Sequence, residues 1–197
     1  AISSVGGTIK VLTKSTDLIE GGKIAASMGN DGYMKTVASY NTGEMDGGHA
    51  LSLLFSRTAG DGYVDGTMFE GYNYFLGYGW KDSSDKHNVQ LIITGAPQTH
   101  NQRTSSYYNM AKVSDYQKYG IRYNYNHGFL NGDEFNQRKN FYHKPIASLN
   151  WEYKINESTD LSASVYYSVG RGGGTGDIGR LDGKYASDSR FRNPANG

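Results

Sequence analysis

Cysteine is absent from the 197 residues, and proline occurs only three times. Without thiols, the chain has neither a disulfide framework nor a thiolate metal site. No apolar run approaches the roughly 18 residues that indicate a membrane-spanning helix. The 20 basic and 19 acidic residues are mixed along the chain, so there is no basic patch of the kind that binds nucleic acid. These absences leave open a protein that crosses a membrane with strands, because strands give a much weaker hydropathy signal.

Glycine and tyrosine are plentiful instead, with 27 and 17 residues, and the aromatic share of 13% argues against a disordered chain. Apolar residues recur at every second position, most clearly in residues 72–81. Successive side chains of a strand point to opposite faces, so this pattern predicts strands with one apolar face and one small or polar face. It occurs, with different clarity, in seven segments: residues 23–28, 33–41, 51–55, 72–81, 88–95, 147–155 and 161–169.

The connections between these seven predicted strands differ systematically in length. The long ones, residues 59–71, 96–144 and 171–197, follow the third, fifth and seventh strands, and the even-numbered connections are all short. In an up-and-down meander, all odd-numbered connections lie on one side of the sheet. This is the layout of outer-membrane barrels, which have short periplasmic turns and longer extracellular loops.

We therefore predict an all-β fold, namely a segment of a transmembrane, antiparallel, up-and-down β-barrel. Single-chain bacterial barrels have an even number of strands, at least eight, so seven strands do not close one. An open barrel would leave unpaired backbone groups in lipid, so we expect these strands to belong to a longer polypeptide. The alternatives are a smaller, porin-like outer-membrane barrel and a soluble or secreted β-rich binding module.

On this fold, the apolar face is predicted to contact lipid. Tyrosine and tryptophan suit the headgroup level, because the ring packs against acyl chains while its polar atom stays hydrated. The opposite face would contact water or protein inside the barrel. The residues predicted to face lipid are Tyr72, Tyr74, Leu76, Tyr78, Trp80, Leu149, Trp151 and Tyr153.

Candidate ligand-binding residues lie in the longest connection, where His100, Asn101 and Arg103 occur among arginines and aromatic residues. Such loops suit anionic or ring-bearing ligands, and they equally suit packing of one loop on another. The five histidines lack the short spacing of a zinc site. The acidic residues of segment 61–70 do not match the spacing of an EF-hand. We predict no catalytic residue, no cofactor and no metal.

Residues 4–14 read SVGGTIKVLTK, with Gly6, Gly7, Thr8 and Ile9 at their centre. They resemble the strand that ends the plug domain of TonB-dependent outer-membrane receptors, although Lys10 stands where asparagine is commoner. Further motifs resemble the early barrel of this family. In chain order they are GNDGY (29–33), GDGYVDGTMFEGY (60–72), GAPQTHNQR (95–103), FLNGDEFNQRKNFYHKP (129–145) and GRGGGTG (170–176).

The resemblance implies a barrel of about 22 strands whose lumen holds a plug. Residues 1–16 would be the end of the plug, and residues 17–197 the first part of the barrel. Such receptors bind a scarce extracellular ligand, a siderophore, vitamin, metal complex, glycan or peptide, and import it into the periplasm without catalysis. The implied location is the bacterial outer membrane.

The resemblance also implies the partners of the chain. These are outer-membrane lipid, the rest of the same receptor chain and the TonB-type energy-coupling complex. That complex would act through a region N-terminal to the chain, without which the strands would not transport by themselves. A surface lipoprotein is a further partner that the resemblance allows, and nucleic acid is not expected.

Overall fold

The structure is a computed structural model that describes residues 14–103 and 111–176. A short 3₁₀ helix (Ser15–Asp17) precedes the strands, and one helix, α1 (Val113–Tyr119), lies between β6 and β7. The strands are β1 (Gly21–Met28), β2 (Met34–Asn41), β3 (His49–Gly60), β4 (Phe69–Lys81), β5 (His87–Gly95), β6 (Gln98–Asn101), β7 (His127–Leu130), β8 (Asp133–Asn136), β9 (Lys139–His143), β10 (Ile146–Asn156), β11 (Thr159–Ser168) and β12 (Arg171–Gly174).

Seven strands form an antiparallel meander in the order β1, β2, β3, β4, β5, β10, β11. They correspond to the seven predicted strands, so the predicted all-β, antiparallel fold is confirmed. The odd-numbered connections lie together on one side. The Asp61 amide donates to the Asp31 carbonyl (2.9 Å), and the Asp65 amide donates to the Arg122 carbonyl (2.8 Å). We call this side the loop side and the other the turn side.

The predicted limits of the long connections are wrong. Residues 96–144 are not one loop, because they contain β6, α1, β7, β8 and β9, and β6, β9 and β12 continue the sheet on the loop side. The connection predicted at 59–71 shortens to 61–68, and the one predicted from residue 171 begins with a strand. Pro97 and Pro145 stand at two of the breaks in the ladder, where a residue without an N–H ends regular pairing.

Directly paired residues of an antiparallel ladder share a face of the sheet. The register places the apolar positions of all seven strands on one face, which we call the apolar face. It comprises Ile24, Ala38, Tyr40, Leu51, Leu53, Phe55, Tyr72, Tyr74, Leu76, Tyr78, Trp80, Val89, Leu91, Ile93, Leu149, Trp151, Tyr153, Leu161, Val165 and Tyr167.

The other face, which we call the polar face, carries mainly serine, asparagine, glycine and charged side chains, with Leu54, Phe75 and Ile92 among its apolar exceptions. Within residues 14–103 and 111–176, the sheet has no conventional hydrophobic core. Among the residues that the structure describes, Ala50 is the one fully buried apolar side chain, and the other buried side chains are polar. A single-layer sheet buries its backbone through the ladder, not by packing against a second sheet.

Aromatic rings cover glycines on the neighbouring strand in five ladder pairs. In these pairs a side chain in place of the glycine hydrogen would meet the ring of its partner, as at Gly60, where a Cβ would lie 2.8 Å from Phe69 Cζ. The ring thus packs directly on the backbone of the next strand. The pairs are Gly22 with Tyr40, Gly60 with Phe69, Gly95 with Tyr74, Gly172 with Tyr142, and Gly173 with Phe141.

Candidate functional site

The apolar face extends over all seven strands of the meander. All eight residues predicted to face lipid lie on it. Its side chains are accessible, since Leu53 is 47%, Phe55 54% and Val165 69% exposed. Between the Arg57–Glu70 ion pair on the loop side and the histidines on the turn side, the seven strands place no charged side chain on this face.

At the turn side the apolar face ends in a cluster of stacked rings. The ring of His87 lies 4.4 Å from that of Tyr153, nearly parallel at 7°. The indole Nε1 of Trp151 donates to Nδ1 of His87 at 3.2 Å. An indole N–H can only donate, so Nδ1 of His87 is the unprotonated nitrogen in this contact. The indole and imidazole rings therefore stack while their nitrogen atoms form a hydrogen bond with each other.

At the loop side the face ends in tyrosines with polar partners. The hydroxyl of Tyr72 donates to Glu70 Oε1 at 2.8 Å, and the hydroxyl of Tyr74 lies 3.0 Å from His143 Nε2. Tyr72 and Trp80 are eight residues apart on β4, which corresponds to about 27 Å along an extended strand. The two aromatic ends thus enclose a band of uncharged apolar side chains.

The short connections of the turn side are held by charged groups. Lys81 bridges Glu44 at 3.1 Å and Asp85 at 3.5 Å. The backbone N–H of His87 donates to Asp82 at 2.6 Å, and the Ser84 hydroxyl donates to the same carboxylate. Together these hydrogen bonds lower the pKa of Asp82 to about 2, and the bond from the His87 backbone has the largest effect. The carboxylate stays charged and holds the turn across the ordinary pH range.

The 3₁₀ helix that precedes the strands packs against the polar face of the sheet. The buried amide of Ser15 donates to Gln90 Oε1 at 3.1 Å, and Gln90 Nε2 donates to Thr16 Oγ1 at 3.3 Å. Gly77 and Gly79 form the floor, where a Cβ would contact Ser15 and Thr16. Beside the helix, Lys14 Nζ forms an ion pair with Glu152 Oε2 at 2.6 Å. Two glycines of β4 and the side chains of Gln90 on β5 and Glu152 on β10 thus fix residues 14–16 against the sheet.

We expect Gln90→Met to release this segment, because the buried Ser15 amide then loses its acceptor at a cost of about 1–3 kcal/mol. Release exposes the peptide bond after Lys14, so trypsin should cut there about tenfold faster. The exposed residue Gln102 provides the control, since Gln102→Met should leave the rate unchanged. Equal cleavage of both variants and the parent protein would contradict the role of Gln90.

On the loop side, the side chains of three asparagines join the connections to each other, and two of them, Asn124 and Asn126, are buried. Asn124 donates to the carbonyl of Asp65 at 2.9 Å, and Asn126 donates to that of Gln102 at 3.1 Å. Asn136, in the hairpin of β7 and β8, donates to the carbonyl of Gly66 at 2.9 Å. An ion pair of 2.6 Å between Arg122 and Asp31 links the connection between β1 and β2 to these loop-side contacts.

The structure separates the residues predicted to form a ligand-binding loop. His100 and Asn101 belong to β6, where they pair with Asn140 and Lys139 of β9. His100 also pairs with Phe69 of β4, on the face opposite Tyr72 and Tyr74. Arg103 follows β6 as an exposed residue. The three side chains therefore do not converge on one pocket.

The sequence analysis missed Gln90 and the three asparagines. The pattern NYN at residues 124–126 repeats a buried polar residue at strand spacing, and this was the available signal. Gly6, Gly7, Thr8 and Ile9 lie outside the described residues. In the part of the chain that the structure covers, no group of three or more His, Asp and Glu side chains could hold a metal ion. No helix in that part is long and apolar enough to cross a membrane.

Comparison with protein-family models, with curated proteins and with solved structures gives no match for this chain.

Proposed function

We propose that the chain is part of a TonB-dependent outer-membrane receptor, whose strands form part of a lipid-embedded barrel and which imports a scarce extracellular ligand into the periplasm. The observation that carries the membrane part is the apolar face. Seven consecutive strands expose one uncharged apolar surface that is bordered by aromatic rings at both ends. The band covers the nine residues from Tyr72 to Trp80 on β4, which agrees with the roughly 9–11 residues that a tilted barrel strand needs to cross the bilayer.

Two further observations support this proposal. The longer connections lie on one side of the meander, as extracellular loops do. The segment before the first strand is seated on the polar face, where a plug would meet the wall of the barrel. The receptor and import functions rest on the resemblance of the motifs in residues 4–14 and 29–176. A secreted binding module is disfavoured, because the large apolar face would then need a cover in water.

Spin-label accessibility along β11 tests the proposal. The full-length polypeptide containing this chain is reconstituted into liposomes, with single cysteines placed at successive positions and labelled with a nitroxide. The absence of cysteine from these 197 residues simplifies the design. We expect labels at Leu161, Ala163 and Val165 to collide with oxygen, which concentrates in lipid. Labels at Ser162 and Ser164 should collide with a water-soluble nickel chelate.

The period of two is the decisive feature of this measurement. A label series that is uniformly accessible to the nickel chelate, or one with the opposite phase, would refute lipid contact of the apolar face. A protein that stays soluble and monomeric without detergent would refute it too. Transport is tested separately, by uptake in cells that carry or lack the full-length gene.

A further inference from the structure

Three histidines at the borders of the apolar face each contact an aromatic side chain of another strand through a ring nitrogen. The pairs are His49 with Tyr78, His143 with Tyr74, and His87 with Trp151, with 2.7, 3.0 and 3.2 Å between the polar atoms. The aromatic partner is a phenol in the first two pairs and an indole in the third. This difference decides how each contact responds to a proton.

Phenol and indole groups differ in what they offer a histidine. A tyrosine hydroxyl can donate or accept, so the contacts of His49 and His143 can persist when the imidazole gains a proton. An indole N–H can only donate, and a protonated imidazole donates from both nitrogens. A proton that binds the lone pair of His87 Nδ1 therefore sets two N–H groups against each other. Of the three contacts, the one with Trp151 is the one that protonation breaks.

This contact joins two neighbouring hairpins at their turn-side ends. β4 and β5 form one hairpin, β10 and β11 form the other, and both hairpin turns lie on the turn side. The chain passes from β5 to β10 on the loop side, so no turn ties these two strands together at the opposite end. There the ladder closes with the pair of His87 and Tyr153, and with the Lys154 amide, which donates to the Lys86 carbonyl at 2.8 Å. The bond from Trp151 to His87 adds a side-chain tie at this open end.

We infer that Trp151 and His87 form a proton-sensitive clasp between these hairpins. The clasp is closed while His87 is neutral, with its hydrogen on Nε2 and the lone pair of Nδ1 directed at the indole. It opens when a proton from solvent binds Nδ1. The imidazolium then keeps its stack on Tyr153, where a cation over the ring is favourable, and loses Trp151. On the proposed fold the turn side faces the periplasm, so the pH of that compartment would set the state of the clasp.

Two other titratable groups share the face of the His87 ring. Asp82 accepts from the His87 backbone N–H at 2.6 Å, and its pKa of about 2 keeps it charged. Tyr153 lies opposite on β10. The other charged side chains around this corner belong by register or alternation to the polar face: Lys81, Lys86, Glu152, Lys154 and Asp160. Among these residue types, histidine is the one whose charge ordinarily changes between about pH 5 and pH 8.

Fluorine NMR of the tryptophan side chains tests the clasp. The full-length polypeptide that contains this chain is produced with fluorinated tryptophan, and the signal that is absent from Trp151→Phe is assigned to Trp151. We expect this signal to move in one sigmoidal step as the pH falls from about 8 to about 5. If no tryptophan signal of the unsubstituted protein moves in this interval, the inference is overturned without any histidine variant.

His87→Asn separates the clasp from other titrations. The asparagine amide oxygen can accept from the indole in place of Nδ1, and the amide has no charge to gain in this interval. The signal of Trp151 should therefore become independent of pH. His49→Asn and His143→Asn are the matched controls, because each removes a histidine that is paired with a tyrosine, and the step should persist in both. A step that survives His87→Asn, or that disappears in either control, refutes the clasp.

Hydrogen exchange measures the opening itself and needs no label. Peptides covering residues 151–156 are compared between the unsubstituted protein and His87→Asn at the same pH, so that the intrinsic exchange rate cancels. At about pH 5 we expect exchange about fivefold faster in the unsubstituted protein, the factor that corresponds to the net contribution of one hydrogen bond. At about pH 8 the rates should agree. Equal rates at both pH values would show that the contact does not hold the hairpins together.

These results are independent of the proposed membrane function. A protein that shows the step and the exchange difference but does not insert into membranes keeps the clasp and refutes the membrane function. A protein that inserts but shows neither refutes the clasp alone.

Discussion

Leu76→Arg is expected to destabilise the protein in liposomes by about 2–4 kcal/mol if the apolar face contacts lipid as proposed, because this is the cost of an arginine on the lipid face near the bilayer midplane. Leu76 lies four residues from Tyr72 and four from Trp80 on β4, and its ladder partners are Leu53 and Ile93. In water the same substitution would change stability by at most about 0.5 kcal/mol, because the side chain is already partly exposed. The measurement is urea-induced unfolding of the full-length protein in liposomes.

The control is Ser164→Arg, which places arginine in the middle of a strand on the polar face. On the proposed fold this face contacts water or protein and not lipid, so we expect little change. If both substitutions have the same small effect, the assignment of faces to lipid and lumen is wrong. If both have the same large effect, the strands do not tolerate arginine for reasons of pairing, and lipid contact is not needed to explain the result.

Gly48→Ala is expected to lower stability by about 3 kcal/mol, and to act through a turn far from the motifs of the loop side. Gly48 has φ +77°, a conformation that costs an L-residue roughly 1–2 kcal/mol. An alanine Cβ would also overlap the carbonyl oxygen of Lys81, whose amide donates to the Gly48 carbonyl at 2.9 Å. Relief of such an overlap costs typically 1–3 kcal/mol, because it moves backbone and not a flexible side chain.

Gly132→Ala separates these two contributions. Gly132 has φ +94° in the two-residue turn between β7 and β8, and a Cβ there would meet no atom within 4 Å. The backbone penalty is therefore shared by both variants, and the overlap with Lys81 is present only at Gly48. We expect the difference between the two unfolding free energies to be about 1–3 kcal/mol. Equal effects would show that the turn relaxes away from Lys81.

The strands and their faces were predictable because alternation is a local property. Residues 72–81 alternate nearly perfectly and form the C-terminal part of β4, and residues 161–169 correspond to β11 with an offset of one or two residues. Ile92 breaks the alternation in the sequence, and it does lie on the polar face. Alternation does not give the register between strands. In the structure, the register aligns the apolar positions of seven strands into one continuous surface.

The strands of the loop side were not predictable by the same rule. β6 reads QTHN and β9 reads KNFYH, and neither alternates between apolar and polar residues. Alternation appears only where one face of a strand is apolar, so a strand with polar or mixed residues on both faces looks like a loop. Pairing with β4 and with each other, not the local sequence, makes these segments strands.

The contacts that fix the loop side and the 3₁₀ helix were hidden for a different reason. Asn136 and Gly66 are 70 residues apart, and Gln90 and Ser15 are 75 apart. In both cases one partner is a backbone group, which every residue has, so the sequence carries no mark of the pair. Only the side-chain partner could be recognised from its residue type, and the sequence does not tell an asparagine or glutamine that makes such a contact from one that is exposed to solvent.

The five pairs of aromatic ring and glycine have a consequence for how the sheet finds its alignment during assembly. A strand shifted by one residue reverses its two faces, whereas a shift by two preserves them and keeps the apolar pattern intact. The hydrophobic pattern therefore does not distinguish a two-residue shift from the native register, but some of the ring–glycine pairs do. Such a shift places Tyr74 opposite Ile93 or Pro97 instead of Gly95, and Tyr40 opposite Glu20 or Ile24 instead of Gly22. Because each ring would then meet a side chain where it now packs on a glycine, these two glycines favour the native register over alignments that hydrophobicity alone would accept.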